Sequence, residues 1–380
     1  MRKIPFFDYP DIYKRFQGEF DQIFCDVCSR GAFILQKDLE EFEAELADFL
    51  NVKHVLGVAD GTNAMYLGMQ ALGIGVGDEV IISPHTYVAT ANAIQMVGAS
   101  TIFADIDEDY LLCPKAAASK ITNQTKAIMP TQLNGRCANM PGLRALAKDN
   151  NLFLAEDSAQ GLGARYGNEF AGTFGSFGTL SFYPAKLIGC FGDGGAIMTN
   201  DDGLARKIEA MRDHGRDEMG KVTMWGTNSR LDNLQAAFLR LRLKHFDEDI
   251  ERRREIADRY QSGLCNLSEM ELPPSLDNSD LRFDVFQNYE CTADSRDQLR
   301  SYLQDKGIGT IIQWGGVPIH HLESLGYGKE KYTDLSNTDQ FFERCLMLPM
   351  NMSLTNDDVD YVIDSINKFY LKSENEDGQK

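Results

Sequence analysis

Short apolar runs rich in β-branched residues alternate with helical stretches through the first two thirds of this chain. Candidate strands are His54–Gly57, Glu79–Ser83, Thr101–Ala104, Lys126–Met129, Leu152–Glu156, Thr179–Tyr183 and Gly195–Thr199. Helical patterns such as Thr62–Leu72, Thr86–Val97 and Pro141–Asp149 lie between them. Strand, helix, strand repeated in this way predicts an α/β fold: a mainly parallel seven-stranded sheet with helices on both faces. In such a sheet ligands bind at the carboxyl ends of the strands. The residues with chemical potential sit there: Asp60-Gly61-Thr62 after the first strand, His85–Tyr87 after the second and Asp157 after the fifth.

The remainder reads as a smaller α+β domain. Helices are expected near Arg230–His245, Asp249–Leu264, Arg296–Lys306 and Val359–Tyr370, with a polar, Pro-containing connector at Glu271–Arg282. The expected division is a large domain over 1–250, including a short N-terminal extension, a small domain over 251–372 and a disordered tail over 373–380. With 38 Lys+Arg against 57 Asp+Glu, the net charge of −19 argues against nucleic acid as a partner. An acidic exterior still permits a local pocket for an anionic substrate. No apolar run reaches the ~18 residues of a membrane span, so no membrane partner is expected. The N-terminus shows no cleavable leader, and a cytoplasmic location with reduced thiols follows. Of the eight cysteines only Cys25 and Cys28 have metal-like spacing, and no second pair accompanies them, so no metal site is expected.

One pair of residues carries most of the functional signal. The apolar run Leu152–Ala155 ends in Glu156-Asp157-Ser158-Ala159-Gln160, and Lys186 follows in Ser181-Phe-Tyr-Pro-Ala-Lys186. A carboxylate at the end of a buried strand and a lysine behind a hydroxyl-bearing turn are what a pyridoxal 5'-phosphate (PLP) site needs: the lysine to form the Schiff base, the carboxylate to hold the pyridinium nitrogen. Lys186 is the only Lys or Arg from Tyr166 through Thr199. Burial would lower its pKa enough for it to act as a nucleophile. Gln160 could reach the ring hydroxyl. Asp60-Gly61-Thr62-Asn63 before an apolar helix offers free amides to a phosphate. Tyr87 could stack on a ring. Each has an ordinary alternative when taken alone: a loop cap for Asp157, a helix cap at 60–63 and at Asn228, a packed aromatic at Tyr87. Neither the glycines of 189–195 nor those of 73–77 spell GxGxxG, which argues against a dinucleotide site.

Taken together these stretches resemble the DegT/DnrJ/EryC1/StrS sugar aminotransferases, within the fold-type-I PLP enzymes. The resemblance rests on DGTNAM (60–65), SPHTYVATANAI (83–94), EDSAQGLGARY (156–166), SFYPAK (181–186), GDGGAIMTND (192–201), RDHG (212–215) and GTNSRLDNLQAAFL (226–239). It implies that Lys186 is the Schiff-base lysine and proton shuttle, that Asp157 pairs with the pyridinium and that Gln160 meets the phenolic oxygen. Tyr87 would stack on the ring, and Gly61, Thr62 and Ser181 would bind the phosphate. Asn228 would reach the phosphate of the neighbouring subunit in a homodimer with shared active sites. Substrate contacts are implied at His214, Gln313, Trp314, His320 and His321. The implied reaction moves an amino group from L-glutamate to a nucleoside-diphosphate-linked keto-sugar, by a ping-pong route. A cyclitol ketone as acceptor, a PLP-dependent sugar dehydratase and an inactive PLP-binding scaffold are the competing readings. The dehydratase is disfavoured because such relatives carry histidine where Lys186 stands.

The chain departs from the family pattern in four places. A common histidine is Gln132, a common GEGG reads Gly192-Asp193-Gly194-Gly195, and a common glutamate is Asn233. A usual Tyr-Pro-x-Pro-x-His reads Gln313-Trp314-Gly-Gly-Val-Pro-Ile-His320-His321. These changes are expected to bear on the substrate pocket and not on the cofactor machinery.

Overall fold

The computed structural model describes residues 2–276 and 281–377, with side chains as far as 371. Its strands in chain order are β1 (His54–Val58), β2 (Glu79–Ile82), β3 (Ser100–Phe103), β4 (Thr125–Ile128), β5 (Phe153–Asp157), β6 (Arg165–Tyr166), β7 (Glu169–Phe170), β8 (Phe177–Ser181) and β9 (Gly195–Thr199). After a long helical section come β10 (Met270–Glu271), β11 (Arg282–Phe283), β12 (Tyr289–Ala293) and β13 (Cys345–Leu348). Each of the seven expected strands is present, shifted by a residue or two at most of the ends.

Those seven form one sheet in the order β1-β9-β8-β5-β4-β2-β3. The pairs β2/β3, β2/β4, β4/β5 and β5/β8 are parallel, while β9 runs antiparallel to both β8 and β1. The strands read as continuous apolar runs because both faces are covered. One face packs Leu39, Phe42 and Leu46 of helix Lys37–Leu50 with Leu143 and Leu239. The other packs Met65, Leu67 and Met69 of helix Gly61–Leu72 with Ile94 and Ile208. The carboxyl ends of β1, β2, β4, β5 and β8 therefore open on one edge, where the chemical residues were expected.

A second sheet, β10-β12-β13, is antiparallel and shares its core with helices Phe246–Leu264 and Asn356–Asp377. Helix Phe246–Leu264 spans both bodies: Phe246 and Ile250 join the first core, Ile256, Tyr260 and Leu264 the last. Two features differ from the sequence reading. Ile4, counted with the large domain, lies in the core of the second body, where its backbone pairs with Gly307 and Gly309 on either side of Ile308. The helix expected to end at Tyr370 runs to Asp377, through residues counted as a disordered tail. That stretch contains no Gly or Pro before Gly378 to interrupt the backbone ladder. Residues 378–380 of the tail and 277–280 of the connector lie outside the described residues. No helix among the described residues is long and apolar enough to cross a membrane.

Candidate active site

A cavity of about 760 Å³ opens at the carboxyl edge of the large sheet. Asp157 and Lys186 both line it, so strand β5 and the loop after β8 deliver the expected pair to one place. Gly61, Thr62 and Ser181 line one wall, and Tyr87, Gln160, Gln313 and Trp314 line others. Lys186 follows a tight turn in which its backbone N–H donates to the Tyr183 carbonyl at 2.8 Å. Burial lowers its pKa to about 8, against the opposing pull of the Asp157 carboxylate. Burial raises the Asp157 pKa, while the hydroxyl of Thr90 and the Lys186 charge act the other way.

The Asp157 carboxylate is held by a chain of hydroxyls. Thr131 donates to Thr86 at 2.7 Å, Thr86 and Thr90 share a bond of 2.7 Å, and Thr90 donates to Asp157 Oδ2 at 2.7 Å. The Ala159 N–H donates to Oδ1 at 3.2 Å. Thr86 falls within the His85–Tyr87 stretch expected to carry chemistry, whereas Thr90, inside a helix, and Thr131, after a strand, give no signal by themselves.

At the head of helix Gly61–Leu72 the Asp60 side chain caps Asn63, accepting its N–H at 2.8 Å and its side-chain amide at 2.6 Å. Asp60 thus takes up Asn63, and Gly61 and Thr62 keep unpaired N–H groups at the positive end of the helix. Close packing builds this wall. A Cβ on Gly195 would stand 2.4 Å from the Asp60 carbonyl carbon, and one on Gly189 would stand 2.5 Å from the Pro184 carbonyl oxygen, just before Lys186. The donor set fits a PLP group: a low-pKa amine, a buried carboxylate, free helix amides beside two hydroxyls, and an exposed aromatic, Tyr87, at the mouth. Tyr87 lies 6.3 Å, ring to ring, from Trp314. Phe7 and Tyr9 of the N-terminal segment also line the cavity, a contribution no sequence motif announced.

Three expected substrate residues lie outside this cavity, as does Asn228, which was expected to serve the neighbouring subunit. His320 is fully buried and His321 half-buried, and both Nε2 atoms bond Asp339 Oδ1, at 3.0 and 2.8 Å. Neither lines the cavity, because the carboxylate of helix Ser336–Arg344 and the rings of Phe103 and Tyr332 hold that loop away from it. The three donors lie within 4.8 Å of one another, but Lys329, at 3.3 Å, already supplies Asp339 with a cation. His214 and Asn228 are exposed on the segment that follows helix Asp202–Arg212 and do not face this chain's cavity; Asn228 accepts from Arg230 Nε at 3.0 Å. Two departures also turn out to face away. Gln132 is fully buried, donates to Glu156 Oε2 at 2.7 Å and accepts from Ala138 N. Burial raises Glu156 to about 7, and it also takes N–H bonds from Gly172, Phe174 and Gly175. Asn233 ties the chain at Ala32, Asp38 and Leu39. Asp193, Gln313 and Trp314 are the departures that remain in the cavity wall.

The family model of the DegT/DnrJ/EryC1/StrS aminotransferases matches residues 15–367. The chain belongs to that aminotransferase family. Among its relatives is the dTDP-3-amino-3,4,6-trideoxy-alpha-D-glucose transaminase of Streptomyces venezuelae, 36% identical over 97% of this chain and 96% of that protein. The crystal structure of S. venezuelae DesV in complex with a ketimine intermediate superposes with a TM-score of 0.92 at 37% identity, over 97% of this aminotransferase and 99% of that chain. The structure of NtdA from Bacillus subtilis with bound cofactor PMP gives 0.89 at 29% identity, over 97% and 85%. The aminotransferase thus has the fold-type-I architecture that its sequence predicts.

Proposed function

We propose that this aminotransferase uses PLP to move an amino group from L-glutamate to a nucleoside-diphosphate-linked keto-sugar, giving an amino sugar by a ping-pong route. The observation that carries the reading is one cavity holding a buried lysine of lowered pKa, a buried carboxylate and free amides at a helix head. Relatives named as nucleotide-sugar transaminases support the substrate class. PLP would supply an electron sink for the carbon that bears the amino group. Lys186 would hold the cofactor covalently and, once released, carry a proton to and from that carbon. A pKa near 8 leaves part of the amine neutral at pH 7, as a base there must be. Asp157, fixed by Thr90, would keep the ring nitrogen protonated. Gln160 would meet the ring hydroxyl, and Gly61, Thr62 and Ser181 the phosphate. Gln313 and Trp314 would face the sugar, in a wall to which none of the described residues of this chain adds a histidine.

Asn228 stands outside this chain's cavity, beside an exposed apolar set that includes Met219, Val222 and Trp225. This supports a homodimer in which Asn228 completes the partner's site. Mixing inactive Lys186→Ala with inactive Asn228→Ala should restore about a quarter of wild-type activity, because only mixed dimers carry an intact site, and one each. A cytoplasmic setting belongs to the same proposal.

The test is an absorbance spectrum before and after L-glutamate. Loss of a visible band with gain of a near-ultraviolet one, then reversal by a keto-sugar nucleotide, supports the reading. Intersecting double-reciprocal lines, or a fully active Lys186→Ala protein, would defeat it.

A further inference from the structure

A buried polar chain joins the second body to the cofactor cavity. It begins at Glu290 on β12, whose side chain is nearly inaccessible. Asn134 Nδ2 donates to Glu290 Oε2 at 2.5 Å, and Asn134 Oδ1 accepts from Asn288 Nδ2 at 2.8 Å. The backbone N–H of Asn134 donates to Gln160 Oε1 at 2.9 Å. Asn134 makes these contacts from a left-handed conformation, φ 55°. With its oxygen engaged there, Gln160 has its amide orientation set, which leaves Nε2 to donate.

The second arm of Glu290 is His85. His85 Nδ1 lies 2.8 Å from the Tyr110 carbonyl oxygen, which can only accept, so Nδ1 carries a proton. His85 Nε2 faces Glu290 Oε2 at 3.4 Å. His85 Nε2 makes no hydrogen bond of its own, and Glu290 is the buried polar group it faces. His85 begins the turn that carries Thr86, of the Asp157 hydroxyl chain, and Tyr87, of the cavity mouth. Elsewhere in the molecule, the cleft beneath Phe283 is walled by Arg165 and Arg254 stacked on that ring and by Asp247 and Glu251, a mixed set that selects no ligand.

We propose that Glu290 is a positioning residue for cofactor binding: through Asn134 it fixes the amide of Gln160, and through His85 it holds the turn bearing Tyr87. It touches no reacting atom. The proposal rests on the PLP reading for its consequence and on protein geometry alone for its cause, so the two can fail separately. Glu290→Gln keeps the shape and removes the charge, and Asn134→Gly keeps the left-handed turn and the backbone N–H while removing the side-chain link.

The experiment pairs crystal structures of the apoproteins with PLP titrations. In the Glu290→Gln apoprotein the Gln160 amide should leave Asn134 N, and the Tyr87 ring should shift. The PLP dissociation constant should rise about tenfold, but less than twofold when Gln160→Ala and Tyr87→Ala are already present, since residues acting in one chain are not additive. Asn134→Gly should reproduce the Gln160 part and spare Tyr87. An unmoved Gln160 and Tyr87 in the Glu290→Gln apoprotein, or equal losses in both backgrounds, would overturn the proposal. A lowered melting temperature with unchanged PLP affinity and an unchanged band would also overturn it, since it would mean a purely structural residue. Failure of the wild type to bind PLP would count against the proposed function, while the apoprotein structures would still decide whether Glu290 sets Gln160.

Discussion

Lys186 offers the sharpest quantitative test. Its amine must be neutral to condense with an aldehyde, and burial brings its pKa from 10.5 to about 8. At pH 7 a group with that value is neutral in about one molecule in ten, against about one in three thousand for an ordinary lysine, a difference of ~300-fold. The initial rate of PLP capture by the apoprotein should therefore rise with pH and level off just above 8. Stopped-flow absorbance over pH 6 to 11, corrected for the titration of free PLP, measures this. Asp157→Asn removes the carboxylate that holds the amine up, so the inflection should move to lower pH. The same shift has a signed effect on stability. The folded state binds fewer protons than the unfolded chain between the two values, so folding is penalised below about 8 and the penalty fades as pH rises towards 10.5. Apoprotein carrying Lys186→Met should accordingly be the more stable at pH 7, by at most about 3 kcal/mol, with the gain gone at alkaline pH. An inflection near 10.5, or one that rises in Asp157→Asn, would refute the reasoning.

Other substitutions test other contacts. Thr90→Val keeps the shape but removes a buried donor to Asp157, and a hydrogen bond to a charged group is worth about 1.5–3 kcal/mol, so PLP affinity should fall roughly 10- to 100-fold in an equilibrium titration. Gln132→Leu leaves Glu156 short of a donor inside the core and should cost about 1–3 kcal/mol in urea unfolding, with the KM for the sugar unchanged. His321→Ala should likewise leave sugar KM unchanged, because its ring serves Asp339 and not the cavity. Trp314→Ala should change the ranking of keto-sugar substrates by kcat/KM while the PLP dissociation constant moves little.

What the sequence made legible follows from how local each signal is. A parallel strand buried on both faces is a short apolar run wherever it sits, so β2, β4, β5 and β8 could be read off directly, and with them the ends that deliver Asp157 and Ser181. Lys186 and Gly61 were legible for the same reason, since a turn and a helix head are properties of a few consecutive residues. The reversed direction of β9 was not, because nothing within Gly195–Thr199 says which neighbour it will meet. The errors share one cause. His320 and His321 carry groups that suit a pocket, yet their environment is decided by Asp339 and Lys329, and Gln132 by Glu156. Side-chain type announces which bonds a residue can make. Only the packing of distant segments decides which of those bonds is made. The same rule explains why Glu290 escaped notice. A glutamate in Gln287-Asn-Tyr-Glu290-Cys reads as one more strand residue. Its significance arises when β12 sets it against Asn134 and His85, which lie 156 and 205 positions earlier in the chain (290 − 134, 290 − 85). A buried carboxylate is costly unless something nearby needs it. Here the needy groups are the ones that orient Gln160 and Tyr87, so the residue least visible in the sequence is placed where it can govern two parts of the cofactor cradle that lie far from it in the chain.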